Sequence, residues 1–484
     1  MLEFPMFIGR KSELEILDQA YKAAKFQMVV VYGRRRIGKT ALLQHFVKEK
    51  SNVIFFTGLQ TSANENLEML SASIKPANFP GKTNYPGEFN FPASPSPSFN
   101  SYNDALTYIF DKAENEQTIF VIDEYPYLAE SYPGISSLLQ KLIDQRKNTS
   151  KLLLILCGSS MSFMEHQVLG KESPLYGRRD FQTKVEPFNI FEASKMLSCN
   201  DPIKAIELYS LAGGVPLYLE QLDATKSIEW NIANAVLKQG AFLSTEPENY
   251  VLQEMHNPAS YKAIITAIAK GKEKTNDIAN TVNMQTPKLA PYLKRLIELG
   301  IIEKVTPIIH ANKKQVFYRL TDNLFRFWYR FAPQYTSAIN ADMQDIVAKH
   351  IVKNDFSTYL GPVFEKVCQQ WLMQNIAKGN IPLIPKEIGC WWGNDPIKKE
   401  QAEVDIAITG ANEELILGEC KWRNSLVDSD VLKTLCHRAA FLTGPNKSKL
   451  NLYIFSKTGF TEQCKQQANA LGNVILVTAK DLFK

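Results

Sequence analysis

Cysteine is scarce in this 484-residue chain: seven residues, at 157, 199, 368, 390, 420, 436 and 464, odd in number and never spaced as C-x-x-C. That pattern excludes a disulfide framework, offers no zinc knuckle and fits a reducing compartment. No apolar run approaches the roughly 18 residues that a membrane helix needs. The opening MLEFPMFIGRK carries charges where a secretory leader needs an apolar core. The expectation is a soluble cytoplasmic protein with no membrane contact. Glycine and proline, at 24 each, are not enriched, which excludes collagen-like and low-complexity classes. A dominant charge is missing too: 55 Lys and Arg face 50 Asp and Glu, a net of +5, which by itself says little about nucleic acid. What is present is ordinary folded protein, 45% hydrophobic and 22% charged, long enough for two to four domains of roughly 150 residues.

The charge is unevenly spread. Asn257 to Tyr335 holds thirteen Lys and Arg against five Asp and Glu, +8, so the remaining residues sum to −3. Ahead of that stretch, the apolar runs QMVVVY (27–32), NVIFFTG (52–58), TIFVID (118–123) and KLLLILCG (151–158) are separated by helical patterns. Such runs predict buried parallel strands of an α/β sheet. Residues 75–100, rich in Pro, Asn and Ser, predict an inserted surface loop. The predicted organisation is an α/β domain over 1–224, a helical region over 225–335, a linker over 336–358 and a further α/β domain over 359–484.

Directly after the first run, Gly33-Arg34-Arg35-Arg36-Ile37-Gly38-Lys39-Thr40 satisfies G-x-x-x-x-G-K-[ST] and leads into the amphipathic helix starting at Ala41. Gly33 and Gly38 let backbone N–H groups wrap phosphates, with Arg36 and Ala41 in the same wrap. Lys39 can reach the β- and γ-phosphates, and Thr40 can ligate Mg²⁺. IFVIDEYPYL (119–128) ends an apolar strand in two acids. Asp123 suits the Mg²⁺ shell and Glu124 suits orienting or deprotonating the attacking water. ATP and Mg²⁺ are therefore the expected cofactors, with ADP the product.

These motifs resemble the archaeal-type ATPases of the AAA+/STAND group that carry a winged helix and a C-terminal nuclease-like domain, over almost the whole chain. Phe7-Ile8-Gly9-Arg10 followed by Glu13-Leu14 is similar to the adenine-side box, assigning Gly9 and Arg10 to the nucleotide. LLLILCGSS (152–160) resembles the sensor 1 strand, implying Ser159 near the γ-phosphate. PLYGRR (174–179) resembles the segment of a phosphate-sensing arginine, which implies Arg178 or Arg179 as a finger in cis or from a neighbouring copy in a homo-oligomer; a solvated surface arginine pair is the alternative. Gly213-Gly214-Val215-Pro216 resembles the sensor 2 turn.

In the last domain one strand carries Glu403-Val404-Asp405 and the next Glu419-Cys420-Lys421. Residues i and i+2 of a strand share a face, and a hairpin can set Asp405 beside Glu419 and Lys421. Two carboxylates and a lysine suit Mg²⁺-dependent phosphodiester hydrolysis: Asp405 and Glu419 as ligands, Lys421 to orient water or neutralise charge. The order resembles the PD-(D/E)xK nuclease superfamily, a restriction-endonuclease-like fold, in which Glu365 matches the acid of the first helix. The alternatives are an exposed strand face at Glu403 and Asp405, and an ordinary ion pair between Glu419 and Lys421.

Between these domains YKAIITAIAKG, TNDIANTVN and TPKLAPYLKRLIELG, followed by IIEKVTPI and KQVFYRLTD, follow the order of a winged helix-turn-helix. Its third helix displays Lys288, Lys294 and Arg295, and its wing Lys313 and Lys314. The combined reading is an α/β P-loop ATPase whose nucleotide state controls a DNA-binding winged helix and a nuclease-like domain. Its alternatives are an ATP-dependent signalling or assembly switch and a DNA-binding regulator with a non-cleaving C-terminal domain.

Overall fold

Five short segments of the first 187 residues pair as parallel strands: β1 (Gln27–Tyr32), β2 (Val53–Thr57), β3 (Thr118–Asp123), β4 (Leu152–Gly158) and β5 (Phe181–Lys184). The structure, a computed structural model, describes residues 7–74, 98–309, 316–443 and 449–484. Sheet order is β2-β3-β4-β1-β5. β1, β3 and β4 are buried along their whole length because both faces are covered. Met28, Val30 and Tyr32 pack with helices Ala63–Ser73, Tyr102–Asn115 and Ile135–Arg146, while Val29 and Val31 pack with Lys11–Lys22 and Lys39–Val47. Hence the unalternating runs in the sequence: each fully buried Val or Leu contributes about 1.5–3 kcal/mol. β5, FQTK, is a short edge strand with no apolar run to announce it. Since β4 lies between β1 and β3, its C-terminal end emerges between the P-loop and Asp123, and the crevice beyond the strand ends opens where the order reverses.

The chain divides into two compact units, Met1–Pro187 and Phe188–Lys484. The first unit thus closes ahead of the expected boundary at 224. The helix Pro202–Ala212 packs instead with helices Asn323–Phe331 and Phe356–Ala377. Tyr359 Oη donates to the Ser210 carbonyl (2.6 Å) and Asn323 Nδ2 to the Tyr209 carbonyl (2.9 Å), locking the three helices together. The expected linker over 336–358 is also corrected. It forms helices Thr336–Asn340 and Gln344–Asn354, and Val347, Ala348 and Ile351 are buried on one face.

Helices Pro258–Ala269, Thr275–Thr281 and Thr286–Glu298 precede the antiparallel pair β6 (Ile302–Val305) and β7 (Phe317–Leu320), with an added bridge from Lys274 to Phe317. Ile264, Ile268, Leu289, Leu293 and Leu296 form the small core beneath them. Lys313 and Lys314, and residues 75–97 of the expected insertion, lie outside the described residues.

The last sheet, in order β12-β11-β10-β9-β8, is built from β8 (Pro385–Asn394), β9 (Gln401–Gly410), β10 (Leu415–Lys421), β11 (Leu450–Ser456) and β12 (Val474–Thr478). β8, β9 and β10 pair antiparallel, and β10, β11 and β12 parallel. Helix Ser429–Leu442 covers one face through Leu432 and Leu435 against Val404 and Leu417. Among the described residues no helix is long and apolar enough to cross a membrane.

Candidate functional site

The P-loop leaves β1 through Gly33 at φ 153°, where a Cβ would meet the Val185 carbonyl and Ile37 Cδ1 at 2.6 Å, so only glycine fits. Arg36 (φ 71°) and Gly38 (φ 84°) continue in left-handed conformations, turning backbone N–H groups towards one concavity at the start of helix Lys39–Val47, where Ala41 lies in the first turn. Lys39 is 5% exposed and its Nζ donates to the Arg34 carbonyl at 3.0 Å. The Thr40 hydroxyl donates to Asp123 Oδ2 at 2.7 Å, and Asp123, 1% exposed at the end of β3, also accepts from the Glu124 N–H at 3.1 Å. Glu124 takes a left-handed φ of 50°, and its Oε2 accepts from both the hydroxyl (2.8 Å) and the N–H (3.2 Å) of Ser159. A buried acid one bond from a threonine hydroxyl is a fitting oxygen donor set for Mg²⁺. Beside it, burial and then the Asp123 charge push the Cys157 thiol well above its ordinary value, so it stays neutral.

Arg10 braces this loop. Gly9 and Arg10 adopt φ 68° and 60°, and the guanidinium donates to the carbonyls of Glu186 (2.6 Å) and Ile37 (2.8 Å) while meeting Glu13 at 3.4 Å. Arg178 is placed elsewhere. It holds Asp144 through Nε (2.9 Å) and Nη2 (2.6 Å), in the last turn of the helix that feeds the start of β4. Its neighbour Arg179 precedes Asp180, which exchanges hydrogen bonds with Met28 near the start of β1. Arg178 therefore lies towards the N-terminal end of the parallel sheet, opposite the P-loop, whereas the Arg179 charge acts on Tyr32, the last residue of β1.

In the second unit the register Ile406–Gly418 sets Asp405 across from Glu419, on the same face. Asp405 Oδ2 accepts from the Cys420 N–H at 2.7 Å. Glu419 Oε1 meets Lys421 Nζ at 2.6 Å and its Oε2 meets Arg438 Nη1 at 3.1 Å. Glu365 comes from helix Phe356–Ala377. Burial, then Glu419 and Glu365, push the Asp405 carboxyl well above its usual range, while burial raises Glu365 against the pull of Arg319. Burial works against the Lys421 ammonium, yet Glu419 and Asp405 raise it overall. Among the described residues no three His, Cys, Asp or Glu gather closely enough to hold a metal by themselves. Two crowded carboxylates still fit Mg²⁺, which commonly takes one or two protein carboxylates together with substrate phosphate.

The profile of an ATPase domain predominantly from Archaea matches residues 7–222, and that of archaeal and bacterial proteins of unknown function matches residues 328–433. An uncharacterized protein of Methanocaldococcus jannaschii is 31% identical over 431 residues, 88% of this chain and 90% of that one. The chain belongs to this archaeal ATPase family. Among solved structures, the Walker-type ATPase of Pyrococcus abyssi is 19% identical and covers 67% of this ATPase and 96% of its own chain, with a TM-score of 0.48. The ORC2 protein of Aeropyrum pernix, in ADPNP–ADP complexes, is 15% identical over 72% of this chain and 98% of its own, with a TM-score of 0.40.

Within the ATPase, the motif residues Gly33, Gly38, Lys39, Thr40, Asp123, Glu124 and Ser159 meet at one end of the sheet, and Asp405, Glu419 and Lys421 meet on another. Arg438 is the neighbour that spacing did not reveal: it reaches Glu419 across 19 residues, from a helix packed on the sheet. On helix Thr286–Glu298, Lys288 and Lys294 are exposed, and Lys294 (3.9 Å) and Arg295 (3.5 Å) share Glu298.

Proposed function

We propose that this ATPase hydrolyses ATP with Mg²⁺ at the P-loop and acts on DNA through a winged helix, formed by residues 258–320, and a phosphodiester-cutting centre of the PD-(D/E)xK kind in its C-terminal sheet. In the first centre Lys39 would neutralise the β- and γ-phosphates, and Thr40 with Asp123 would hold the metal. Glu124 accepts the proton of the attacking water while Ser159 fixes its carboxylate. Bound Mg²⁺ supplies charge neutralisation at the phosphates. Lys39→Ala is expected to lower ATP turnover by roughly 100-fold or more. Glu124→Gln is expected to keep nucleotide binding and lose turnover; loss of binding instead would make Glu124 structural.

The observation that carries the second half is the apposition of Asp405, Glu419 and Lys421 on neighbouring strands. Asp405 and Glu419 would hold the cation. Lys421, whose ammonium is held charged by those acids, cannot act as a base and instead stabilises charge building on the phosphate. Proton acceptance then falls to Glu365, the acid of the group left without a cation to hold, whose carboxyl burial raises. The exposed lysines of helix Thr286–Glu298 and the +8 segment supply phosphate contacts. Lys421→Ala is expected to abolish strand cutting with ATP turnover retained.

A further inference from the structure

Cations that do not come from the last sheet act on its acidic cluster. The wing segment docks on β8: the Ile308 N–H donates to the Cys390 carbonyl at 3.0 Å, and the Phe317 and Trp392 rings pack at 4.6 Å. This brings Arg319, anchored to Glu273 at 3.1 Å, to a position where its charge acts on Glu365. From helix Asn323–Phe331 comes Arg326, its guanidinium 5.2 Å from the centroid of the Tyr359 ring, with its charge also acting on Glu365. Arg330, one turn further on the same face, lies 6.0 Å from that ring.

Tyr359 itself is immobilised by its bonds to Ser210 and Asn323, so the ring is a fixed platform. Arg326 and Arg330 are both partly buried, and among the described residues neither guanidinium has a hydrogen-bond or ion-pair partner. Burial, opposed by Tyr359 and Glu365 but reinforced by Arg330, depresses Arg326. Among the described residues no nitrogen of either side chain is both buried and unbonded, so the donors reach solvent and stand open to an anion with several acceptor oxygens. Phosphates repeat along a nucleic-acid strand, so a strand with one phosphate at Asp405 and Glu419 has a neighbouring phosphate to offer Arg326, whose charge reaches Glu365, and Arg330 beside it.

We propose that Arg326 and Arg330 bind a backbone phosphate of DNA next to the one being cut, making the cutting centre a composite of the sheet and the preceding helix. This rests on the reading of Asp405, Glu419 and Lys421 as that centre. The test is fluorescence anisotropy of an end-labelled DNA duplex with the full chain, in a Lys421→Ala background that prevents cutting, over a range of salt concentrations. Arg326→Gln and Arg330→Gln are each expected to weaken binding about tenfold and to lower the salt slope by about one. ATP turnover and melting temperature serve as the folding control. Arg326→Lys, which keeps the charge and loses the planar fork, should recover only part of the affinity. Should Arg326→Gln misfold, Arg330→Gln and Arg326→Lys decide the matter. Unchanged affinity and slope in folded variants, or no DNA binding by the parent, overturns the proposal. Weakened binding in the variants, with no cutting by the Lys421-intact chain, upholds the phosphate site and refutes the cutting reading.

Discussion

Asp405 shows how much one side chain can carry in the absence of a cation. Its carboxyl lies well above the ordinary value because it is buried and faces Glu419 and Glu365. The folded state therefore holds this proton more tightly than the unfolded chain, and stability falls as pH climbs from the unfolded carboxylate value, about 4, through the raised one. Asp405→Asn is expected to raise the melting temperature at pH 8 in chelated buffer, and the gain should vanish near pH 4, where both forms are neutral. A pH-independent difference would remove the charge argument. At this scale, legibility followed contiguity. Lys39, Thr40, Asp123 and Glu124 sit in short motifs whose spacing is the chemistry, and Ser159 follows from a strand end. Arg438 and Arg326 could not be read, because helix packing, not chain proximity, brings them to Glu419 and Glu365. For Arg178 the pairing with Asp144 fits the surface-arginine alternative, and that partner was not legible from the segment.

At the level of elements, the tightest constraint is the turn between helices Pro202–Ala212 and Pro216–Leu219. Gly213 sits at φ 60° and ψ −144°, and a Cβ on Gly214 would fall 1.8 Å from the Phe188 carbonyl oxygen. The Phe188 N–H also donates to the Gly214 carbonyl at 2.7 Å, so neither segment can retreat freely. Gly214→Ala is expected to destabilise the second unit by about 3 kcal/mol, measured by urea denaturation; a loss under about 1 kcal/mol would show that the turn gives way. The uninterrupted apolar runs of β1, β3 and β4 were readable because both faces are buried. β5 and β8 were not: one is four residues at an edge, and the other carries a bulge and exposed residues. The stretch over 336–358 read as a linker because its polar residues outnumber the few, Val347, Ala348, Ile351 and Phe356, that anchor it.

Across the whole molecule, a parallel α/β sheet with a P-loop and a mixed sheet with an acidic cluster occupy one chain, with the excess positive charge between Asn257 and Tyr335. The P-loop α/β fold was legible, since strand runs and the glycine loop announce the first sheet, and the strands carrying Asp405 and Glu419 pair as expected in the second. The ATPase-domain profile ends at residue 222, beside the expected boundary at 224, while residues from 188 onward also bury apolar side chains against helices more than a hundred positions later. The most direct measurement is strand cleavage of supercoiled plasmid in Mg²⁺ or Mn²⁺, with and without ATP, by the parent chain, Lys421→Ala and Glu124→Gln. Cleavage by the parent that is lost in Lys421→Ala, with ATP turnover intact in that variant, is the expected result. Equal cleavage by the parent and Lys421→Ala, or none by either under any condition, would contradict a cutting centre at Asp405, Glu419 and Lys421.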